Sequence, residues 1–320
     1  MADLAVIVVS ANSGSWLRAC LTSVEARAGG ASLELVVVDS GCTDDTAAIV
    51  RDEFPDARLL AVENRGFAYG NNRAFLATSA PYVLFLNPDT ELVAGTLAEL
   101  LAELERRPEV GLAGVRQVSA GGVVWPSIRR FPSPVRTLCE ALGSEHLPLR
   151  RSWLRGSWLG ERELDPAAYE RATPCDWTSG SFMLARREAI LGAGLMDERF
   201  FIYCEEPDLC LRIKRAGWEV WHLPTLTIVH HAGRSGFAPR FVAQDAFARR
   251  QYMAKHYPPL RRLAGLAACA LGYALRAALG GRDRALAREQ RAASRAALAV
   301  LFGKAPPPFR RPPLGAVSPE

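Results

Sequence analysis

The chain has 320 residues, of which 49% are hydrophobic and 23% are charged. This length suits one large α/β domain or two smaller ones, and the hydrophobic content excludes a chain that is disordered throughout. Seven cysteines without a C-x-x-C pair exclude a zinc knuckle and a disulfide framework, and they indicate reduced thiols in a cytoplasmic protein.

The net charge of +5 is unevenly distributed along the chain. Residues 251–320 contain twelve Lys/Arg and three Asp/Glu, a net of +9, so the first 250 residues carry a net of −4. A basic tail on a mildly acidic body favours an anionic partner for the tail, and the alternative is a solvated basic helix. The N-terminal stretch MADLAVIVVSAN has no basic region and too short an apolar run for a signal peptide, so we interpret it as a buried strand.

Strands and helices alternate along the first 118 residues. The patterns predict strands over 4–10, 33–40, 57–63, 82–87 and 110–118, and helices over 15–27, 42–54, 66–79 and 95–107, the last of which ends before Pro108. Thr43 and Asp44 are the predicted capping residues of the second helix. Four β–α units of this length imply a parallel sheet covered by helices on both faces.

Polar loops follow the first four predicted strands: SANSGS, DSGCTDD, NRGFAYGNN and NPDTE. Parallel sheets bind ligands in the loops at the carboxyl ends of their strands, so we expect a binding site at that edge. In NPDTE, an Asp follows a Pro at a strand end, which is either ordinary turn chemistry or a site for a metal and a phosphate. No G-x-G-x-x-G or G-x-x-x-x-G-K-[ST] motif is present, which excludes the dinucleotide and P-loop readings.

Six motifs carry a family resemblance. They occur in the order VVVDSGCTDDT, ENRGFAYGNNRAF, LFLNPDT, WTSGSFMLARREAI, MDERFFIYCEEPDLCLRIKRAGW and IVHHAG, and the resemblance covers about residues 4–255. Together they resemble the family 2 glycosyltransferases of the GT-A fold, and above all the bacterial rhamnosyltransferase-like branch. The resemblance implies a catalytic domain over residues 1–257, built on a Rossmann-like, mostly parallel sheet flanked by helices.

The resemblance assigns four residues to the sugar nucleotide. Asp39 matches the carboxylate that hydrogen-bonds a pyrimidine base, and Asn64, Gly66 and Asn72 match the segment that lines the nucleotide pocket.

The same resemblance makes Asn87-Pro88-Asp89 the counterpart of a metal-binding D-x-D motif. Asp89 would then hold Mg²⁺ or Mn²⁺ against the diphosphate, and Asn87 is a neutral replacement for the first Asp. His230 matches a position that completes the metal shell, and the alternative for His230 or His231 is a histidine satisfied at a strand end.

The segment CEEPDLCLRIKRAGW supplies the candidate general base. Pro207 suits the first turn of a helix and Gly217 its end, which places Glu205 and Glu206 just before the helix N-terminus. There the helix dipole favours ionised carboxylates. The family usually reads Glu-Asp-x-Asp, so Glu206 stands at the matched base position; the alternative is helix capping by both acids.

Trp177 and Gly180 are the candidate acceptor-binding residues. Trp177 is predicted to stack on a sugar ring or to be a core residue, and Gly180 to permit close backbone approach. Residues 126–160 break the α/β rhythm with six Arg, two acids and two Trp, and are predicted to form an irregular lid over donor or acceptor, or a basic interfacial patch.

A basic helical extension is predicted over residues 258–320. Its apolar run 263–279 falls short of a transmembrane span, and fits a membrane-surface helix or a helix packed on the catalytic domain or in a homodimer. The Pro-rich end, 305–320, is predicted to be disordered.

These expectations combine into one function. The resemblance implies an inverting transfer of a sugar, best rhamnose from dTDP-rhamnose, to a hydroxyl of a glycan or lipid-linked glycan in cell-surface polysaccharide synthesis. We expect the enzyme to work in the cytoplasm, at the inner face of the cytoplasmic membrane. We expect no nucleic-acid partner. The alternatives are a UDP-hexose donor, a catalytically inactive sugar-nucleotide-binding module, and a nucleotidyltransferase, whose Gly-rich basic loop the SANSGSW stretch lacks.

Overall fold

The computed structural model describes residues 2–142, 159–231, 239–279 and 284–309. The first part of the chain contains β1 (Leu4–Ser10), α1 (Gly14–Ala26), β2 (Leu33–Ser40), α2 (Thr46–Glu53), β3 (Arg58–Val62), α3 (Phe67–Leu76), β4 (Tyr82–Leu86), β5 (Thr90–Ala94), α4 (Leu97–Glu105) and β6 (Val110–Val118).

The second part is less regular at first and then helical. It contains β7 (Ile128–Arg129), α5 (Pro134–Ala141), a 3₁₀ turn (Pro166–Glu170), β8 (Thr173–Pro174), β9 (Trp177–Thr178), β10 (Phe182–Arg186), α6 (Arg187–Ala193), α7 (Glu205–Arg215), β11 (Glu219–His230), α8 (Pro239–His256), α9 (Pro259–Leu279) and α10 (Arg284–Leu301).

One mixed sheet organises the described residues. Its strand order is β3-β2-β1-β4-β10-β6-β11-β5, with β8 beside β11. The first four strands in this order are parallel, so their carboxyl ends lie at one edge. Strand β10 is antiparallel to β4 and β6, and β5 is antiparallel to β11. The short strands β7 and β9 form a separate antiparallel pair.

Alternation along the strands builds a core on each face of the sheet. All seven residues of β1 are buried, which is typical of a central strand with helices on both sides. Its Leu4, Val6 and Val8 pack with residues of α1, α2 and α4, whereas Ala5 and Ile7 pack with residues of α3, α6 and α7. The two helical layers hold the strand ends, and thus the edge loops, in fixed positions.

One predicted helix start and one strand differ from the structure, and tertiary contacts explain both differences. Helix α2 begins at Thr46, because Thr43 and Asp44 bond instead to Asn12 and to Gly14 in the preceding loop and helix. Strand β5 was not predicted: Thr90 and Glu91 were assigned to the NPDTE loop, and residues 92–94 were left unassigned before the fourth predicted helix. It forms because Thr90 pairs with His230 of β11, a partner 140 residues away.

The C-terminal helices share one apolar core. Ala246 and Met253 of α8, Cys269 and Tyr273 of α9, and Ala297 and Leu301 of α10 are buried together. The predicted boundary between residues 257 and 258 falls between α8 and α9, inside this three-helix unit. Among the described residues, no helix has the length and apolar character needed to cross a bilayer.

Two other predictions concern irregular segments. The Pro-rich end is not disordered throughout, because the Phe309 N–H donates to Gln244 Oε1 at 3.1 Å and its ring stacks on Phe201. Residues 310–320 lie outside the described residues. The lid predicted over 126–160 contains β7 and α5, and its residues 143–158 also lie outside the described part of the chain.

Candidate active site

The loops after β1 and β2 interlock at the carboxyl edge of the sheet. Asn12, which has a φ of 61°, accepts a hydrogen bond through Oδ1 from the Thr43 N–H at 2.7 Å. Asp39 stands beside Ser10 in the parallel register, and its Oδ1 accepts from the Cys42 N–H at 2.7 Å. The turn therefore fixes one oxygen of Asp39 and holds its carboxylate at the edge where a ligand would bind.

The loop after β3 is tied to the loop before α7. Gly66 has a φ of 102°, and a Cβ there would lie 2.3 Å from the Phe201 carbonyl oxygen, so only glycine fits this approach. The Phe67 N–H donates to that same oxygen at 2.7 Å. Asn64 Oδ1 accepts from the Gly66 N–H at 3.3 Å, which shapes the turn.

Asn72 lies deeper than the other residues of this group. Its Nδ2 donates to the Met196 carbonyl and to Glu198 Oε1, and its Oδ1 accepts from the Met196 N–H at 3.1 Å. Both amide hydrogens are thus used to hold the segment before α7. Asn72 therefore holds the 196–198 segment in place. Its direct contact with a nucleotide stays a prediction.

Arg65 was not singled out from the sequence. It lies between Asn64 and Gly66, and its Nε and Nη2 are buried without a hydrogen-bond partner in the described structure. Its guanidinium lies 5.0 Å from the centre of the Tyr69 ring. A half-buried guanidinium with two buried, unused donors in an edge loop suits an anionic ligand. The sequence feature that could have indicated this residue was an arginine within the ENRGF motif.

The Asn87–Asp89 turn is fixed on both sides. The Asn87 N–H donates to the Ser181 carbonyl at 3.0 Å, and Thr90 Oγ1 donates to the Asn87 carbonyl at 2.6 Å. The His231 N–H donates to the Asp89 carbonyl at 2.9 Å, which continues the pairing of β5 with β11. The peptide groups are fixed in this way, and the Asp89 carboxylate is left for other contacts.

Asp89 and His230 come together as candidate metal ligands. His230 Nε2 lies 3.5 Å from Asp89 Oδ1, and His230 Nδ1 is buried without a partner in the described residues. The ring is held edge-on by Trp125, with ring centres 5.9 Å apart. A carboxylate and an imidazole on one side of a cation fit Mn²⁺ or Mg²⁺, which keep waters and take phosphate oxygens as further ligands. The described chain contains no group of three or more metal-ligating side chains.

The neighbouring histidine has a different role. His231 Nε2 lies 2.6 Å from Glu91 Oε1, and its ring stacks on Trp16 at 4.8 Å. Of the two adjacent histidines, His231 is therefore the one satisfied at the strand end. His230 is the one that faces the Asp89 carboxylate.

Glu205 and Glu206 lie inside helix α7 rather than before it. The helix begins at Glu205, because Pro207 is still in the first turn, where its missing N–H costs nothing. Tyr203 and Cys204 precede it with φ of 72° and 66°, a strained entry of the kind that clusters at functional sites.

Burial, rather than the helix dipole, decides the protonation of the two acids. Burial raises the pKa of Glu206, and burial together with the charge of Glu206 raises the pKa of Glu205 well above its ordinary value. Backbone N–H groups at the helix start lower both pKa values, as expected for a helix N-terminus, but burial outweighs this effect. Glu205 is 3% exposed, and its Oε2 has no partner in the described structure. Glu206 is half-buried and keeps a hydrogen bond from the Gly180 N–H at 3.2 Å.

Gly180 permits the close approach that the sequence predicted. A Cβ at this position would lie 2.7 Å from Glu206 Oε1. The next residue, Ser181, accepts the hydrogen bond from Asn87. The turn 179–181 therefore connects the candidate base to the candidate metal-binding turn.

Trp177 lies on β9, directly before the 179–181 turn. Its indole N–H donates to the Arg130 carbonyl at 3.0 Å, and the Arg129 guanidinium lies 5.3 Å from the ring centre. Burial lowers the pKa of Arg129 to about 10, and the guanidinium interacts favourably with the charge of Glu206. Arg129 was also not predicted, because its position depends on the pairing of β7 with β9.

Asp208 connects the first turn of α7 to helix α8. It is fully buried, with Arg212 at 2.8 Å, His256 at 2.7 Å and Lys255 at 2.5 Å. His256 and Lys255 belong to α8, so the C-terminal helices hold the helix that carries both glutamates. The contacts with α8 were not visible in the sequence, because His256 lies 48 residues from Asp208 and Lys255 is its neighbour.

Comparison with known proteins identifies the family. The family model for glycosyl transferase family 2 matches residues 5–160. A Mycobacterium tuberculosis protein named N-acetylglucosaminyl-diphospho-decaprenol L-rhamnosyltransferase is 32% identical over 247 residues, which cover 72% of this chain and 77% of the relative. The chain belongs to glycosyl transferase family 2. It is a glycosyltransferase, as the motifs predicted.

A second relative of this family 2 glycosyltransferase is more distant. Rhamnosyltransferase WbbL of Escherichia coli is 27% identical over 187 residues, covering 55% of this chain and 66% of the relative. The family match contains Asp39, Arg65 and Asp89, whereas Glu206 and His230 lie beyond it.

Solved structures confirm the GT-A fold of the glycosyltransferase. The mannosyltransferase PcManGT from Pyrobaculum calidifontis, in complex with GDP-Man and Mn²⁺, gives a TM-score of 0.56 at 19% identity, covering 95% of this chain and 88% of that one. GalNAc-T7, with UDP, GalNAc and Mn²⁺, gives 0.53 at 14% identity, covering 81% of this chain and 52% of that one. At these identities the likeness concerns the fold alone.

Proposed function

We propose that this glycosyltransferase moves L-rhamnose from dTDP-rhamnose to a hydroxyl of a lipid-linked glycan in cell-surface polysaccharide synthesis, with inversion at the anomeric carbon. The observation that carries the proposal is the link from Glu206 through Gly180 and Ser181 to the Asn87–Asp89 turn. The names of the two relatives support rhamnose as the sugar, and the mycobacterial name supports a lipid diphosphate acceptor.

The donor diphosphate would meet Asp89 and His230. Their 3.5 Å contact suits two ligands on one side of a divalent cation. Such a cation, when bound, neutralises the charge that develops on the departing nucleoside diphosphate. Arg65 would add a second positive group to the same anion, since its Nε and Nη2 donors lack a partner in the described residues.

The nucleoside would lie in the loops after β2 and β3. Asp39 would accept a hydrogen bond from the pyrimidine base through the oxygen that the Cys42 N–H does not use. Asn64 and Gly66 would shape the neighbouring wall, and Asn72 would hold that wall through the 196–198 segment.

Glu206 would act as the general base. It would take the proton of the acceptor hydroxyl while the oxygen bonds to the anomeric carbon and the nucleoside diphosphate leaves. Its raised pKa makes its ionised form a stronger base than an exposed glutamate, and the Gly180 N–H orients one of its oxygens. Glu205 would remain a neutral acid beside it, because its burial and the charge of Glu206 both raise its pKa well above the ordinary value.

The acceptor would enter past Trp177 and Arg129. The indole is held by Arg130 and would offer a flat surface to a sugar ring, while Arg129 would provide a cation for an anionic group of the acceptor. For a lipid-linked acceptor, the enzyme would work at the cytoplasmic membrane face. The C-terminal helices are its proposed contact with an anionic membrane, and a homodimer is the competing use.

The direct test is nucleoside diphosphate release from a panel of sugar nucleotides with an acceptor present, measured with and without Mn²⁺. We expect dTDP-rhamnose with Mn²⁺ or Mg²⁺ to be the best donor, and the anomeric configuration of the product, read by NMR, to be inverted. Equal or better turnover with a UDP-hexose would contradict the proposal that dTDP-rhamnose is the donor. Binding of sugar nucleotides without turnover of any would indicate an inactive binding module.

A further inference from the structure

Large apolar side chains are exposed on two helices that lie far from the edge loops in sequence. On α5 and at its end, Val135, Leu138 and Leu142 are 48%, 37% and 57% exposed. On α9, Leu260, Leu263 and Leu271 are 84%, 66% and 39% exposed. These six residues, called here the apolar ridge, are six of the eleven large hydrophobic residues exposed in the described structure, so they form a concentration rather than a random scatter.

The spacing on each helix puts the exposed residues on one face. Between residues 260 and 274, the exposed positions of α9 are apolar except for one arginine: Leu260, Arg261, Leu263, Ala264, Ala267, Leu271 and Ala274. The opposite face of α9 is buried, with Gly265, Ala268, Cys269, Gly272 and Tyr273. A helix on the surface of a protein normally turns polar residues outward, so α9 has a second apolar face without a partner in the described structure.

The two helices lie against each other. A Cβ on Gly272 of α9 would be 3.0 Å from the Cβ of Ala141 on α5, which is the closeness that a glycine allows. This contact brings the helices together beside Leu142 and Leu271. The apolar ridge therefore lies on two helices that are in direct contact, α5 and α9.

Positive charge surrounds the C-terminal helices. Their described residues, 239–279 and 284–309, contain twelve Lys/Arg and two Asp/Glu, a net of +10. Arg261 and Arg276 are exposed near the two ends of α9. On α10, Arg288, Arg291 and Arg295 are exposed at spacings of three and four residues, which places them on one face.

We propose that the apolar ridge docks on an anionic lipid bilayer, with its leucines at the acyl boundary and the arginines of α9 and α10 among the headgroups. An apolar face with basic residues beside it is the pattern of helices that lie in the membrane interface. The assignment rests on the proposed lipid-linked acceptor, because a surface-bound enzyme meets such an acceptor in two dimensions. A second copy of the chain is a poorer occupant, since a twofold contact would bring two basic surfaces together.

The test uses the full chain and co-sedimentation with vesicles of phosphatidylcholine alone or mixed with phosphatidylglycerol, without donor or acceptor. We expect binding to the mixed vesicles that weakens with salt. The combined variant Leu138→Gln/Leu263→Gln/Leu271→Gln should lower the partition coefficient by about tenfold or more. The matched control is Leu76→Gln/Leu191→Gln, which changes two leucines of α3 and α6 that are 57% and 55% exposed, and it should bind like the wild type.

A second variant separates charge from apolar contact. Arg288→Gln/Arg291→Gln/Arg295→Gln keeps the leucines and should weaken binding to the mixed vesicles only. It also serves as the test if the leucine variant fails to fold, which the thermal midpoint reports. Nucleoside diphosphate binding, measured without vesicles, should be the same in all variants, so a wrong assignment of the active site would not affect this result.

Three outcomes would overturn the proposal. The first is a wild type that does not sediment with the mixed vesicles. The second is equal binding by the wild type and by both combined variants. The third is a wild-type dimer in light scattering that the leucine variant converts to a monomer, which would show that a second copy covers the apolar ridge.

Discussion

The backbone N–H of Gly180 donates a hydrogen bond to Glu206 Oε1 at 3.2 Å, across a gap that only a glycine leaves open. The adjoining Ser181 carbonyl accepts from Asn87, so one turn holds both the carboxylate and the strand end that leads to Asp89. In a transfer reaction, the base and the leaving group must stay in register with each other. The 179–181 turn provides that register.

The first prediction tests this turn. Gly180→Ala would place a methyl group 2.7 Å from Glu206 Oε1, so the carboxylate must move. We expect kcat to fall about ten- to a hundredfold, the usual effect of misplacing a reacting group, with little change in donor affinity. Gly192→Ala is the matched control, because a Cβ at position 192 meets nothing within 4 Å. Equal kcat for the two variants would show that the contact does not position the base.

The second prediction concerns the metal. Asp89→Asn removes the charge from the pair with His230, so metal-dependent nucleotide binding and turnover should both be lost. Glu91→Gln is the control, because Glu91 lies two residues further along the chain, on β5, but pairs with His231. Calorimetric titration of dTDP with and without Mn²⁺ measures the effect. Wild-type activity of Asp89→Asn in Mg²⁺ or Mn²⁺ would remove Asp89 from the metal site.

The third prediction concerns the base pocket. Asp39→Asn keeps an oxygen for the Cys42 N–H but loses the charge, so dTDP binding should weaken by roughly 1–3 kcal/mol. Asp52→Asn, an exposed change on α2, should leave the affinity unchanged. An unaltered dissociation constant for Asp39→Asn would exclude Asp39 from the pocket.

The fourth prediction follows from the buried Glu205. Its pKa is raised in the folded protein above the ordinary value of 4.5, so the folded state holds the proton more tightly than the unfolded state. Stability therefore falls as the pH rises above 4.5 towards the folded-state pKa. Glu205→Gln should raise the thermal midpoint at neutral pH by a few degrees, and the difference should shrink below pH 4.5.

The exposed Glu105→Gln is the control for that measurement, and it should not change the pH dependence of the thermal midpoint. A Glu205→Gln variant that melts below the wild type at neutral pH would mean that the Glu205 charge stabilises the fold.

Much of the sheet could be predicted, because its strands are continuous apolar runs. Strands β1, β2 and β6 lie where the patterns placed them. The motif resemblance also predicted a partnership of Asp89 with His230, and the structure brings these two residues together. In contrast, β5 depends on pairing with β11, which is distant in the chain, and no local pattern reveals such pairing.

The electrostatics could not be predicted for a similar reason. From the sequence, the start of α7 favoured ionised glutamates, but a pKa depends on burial, and burial is set by residues from several elements. The buried donors of Arg65 and the packing of Phe309 on Phe201 are likewise consequences of tertiary contacts.

The central claim is that Glu206 is the base of the transfer, and turnover of Glu206→Gln beside Glu205→Gln tests it most directly. The change at 206 keeps the size of the side chain but cannot accept the hydroxyl proton, so turnover should fall about a hundred- to ten-thousandfold. Donor affinity should stay close to that of the wild type, because the nucleotide and metal residues lie in other loops. Glu205→Gln should be much milder in its effect on turnover. Normal turnover by Glu206→Gln with an inactive Glu205→Gln would place the base one residue earlier, and normal turnover by both would contradict the mechanism.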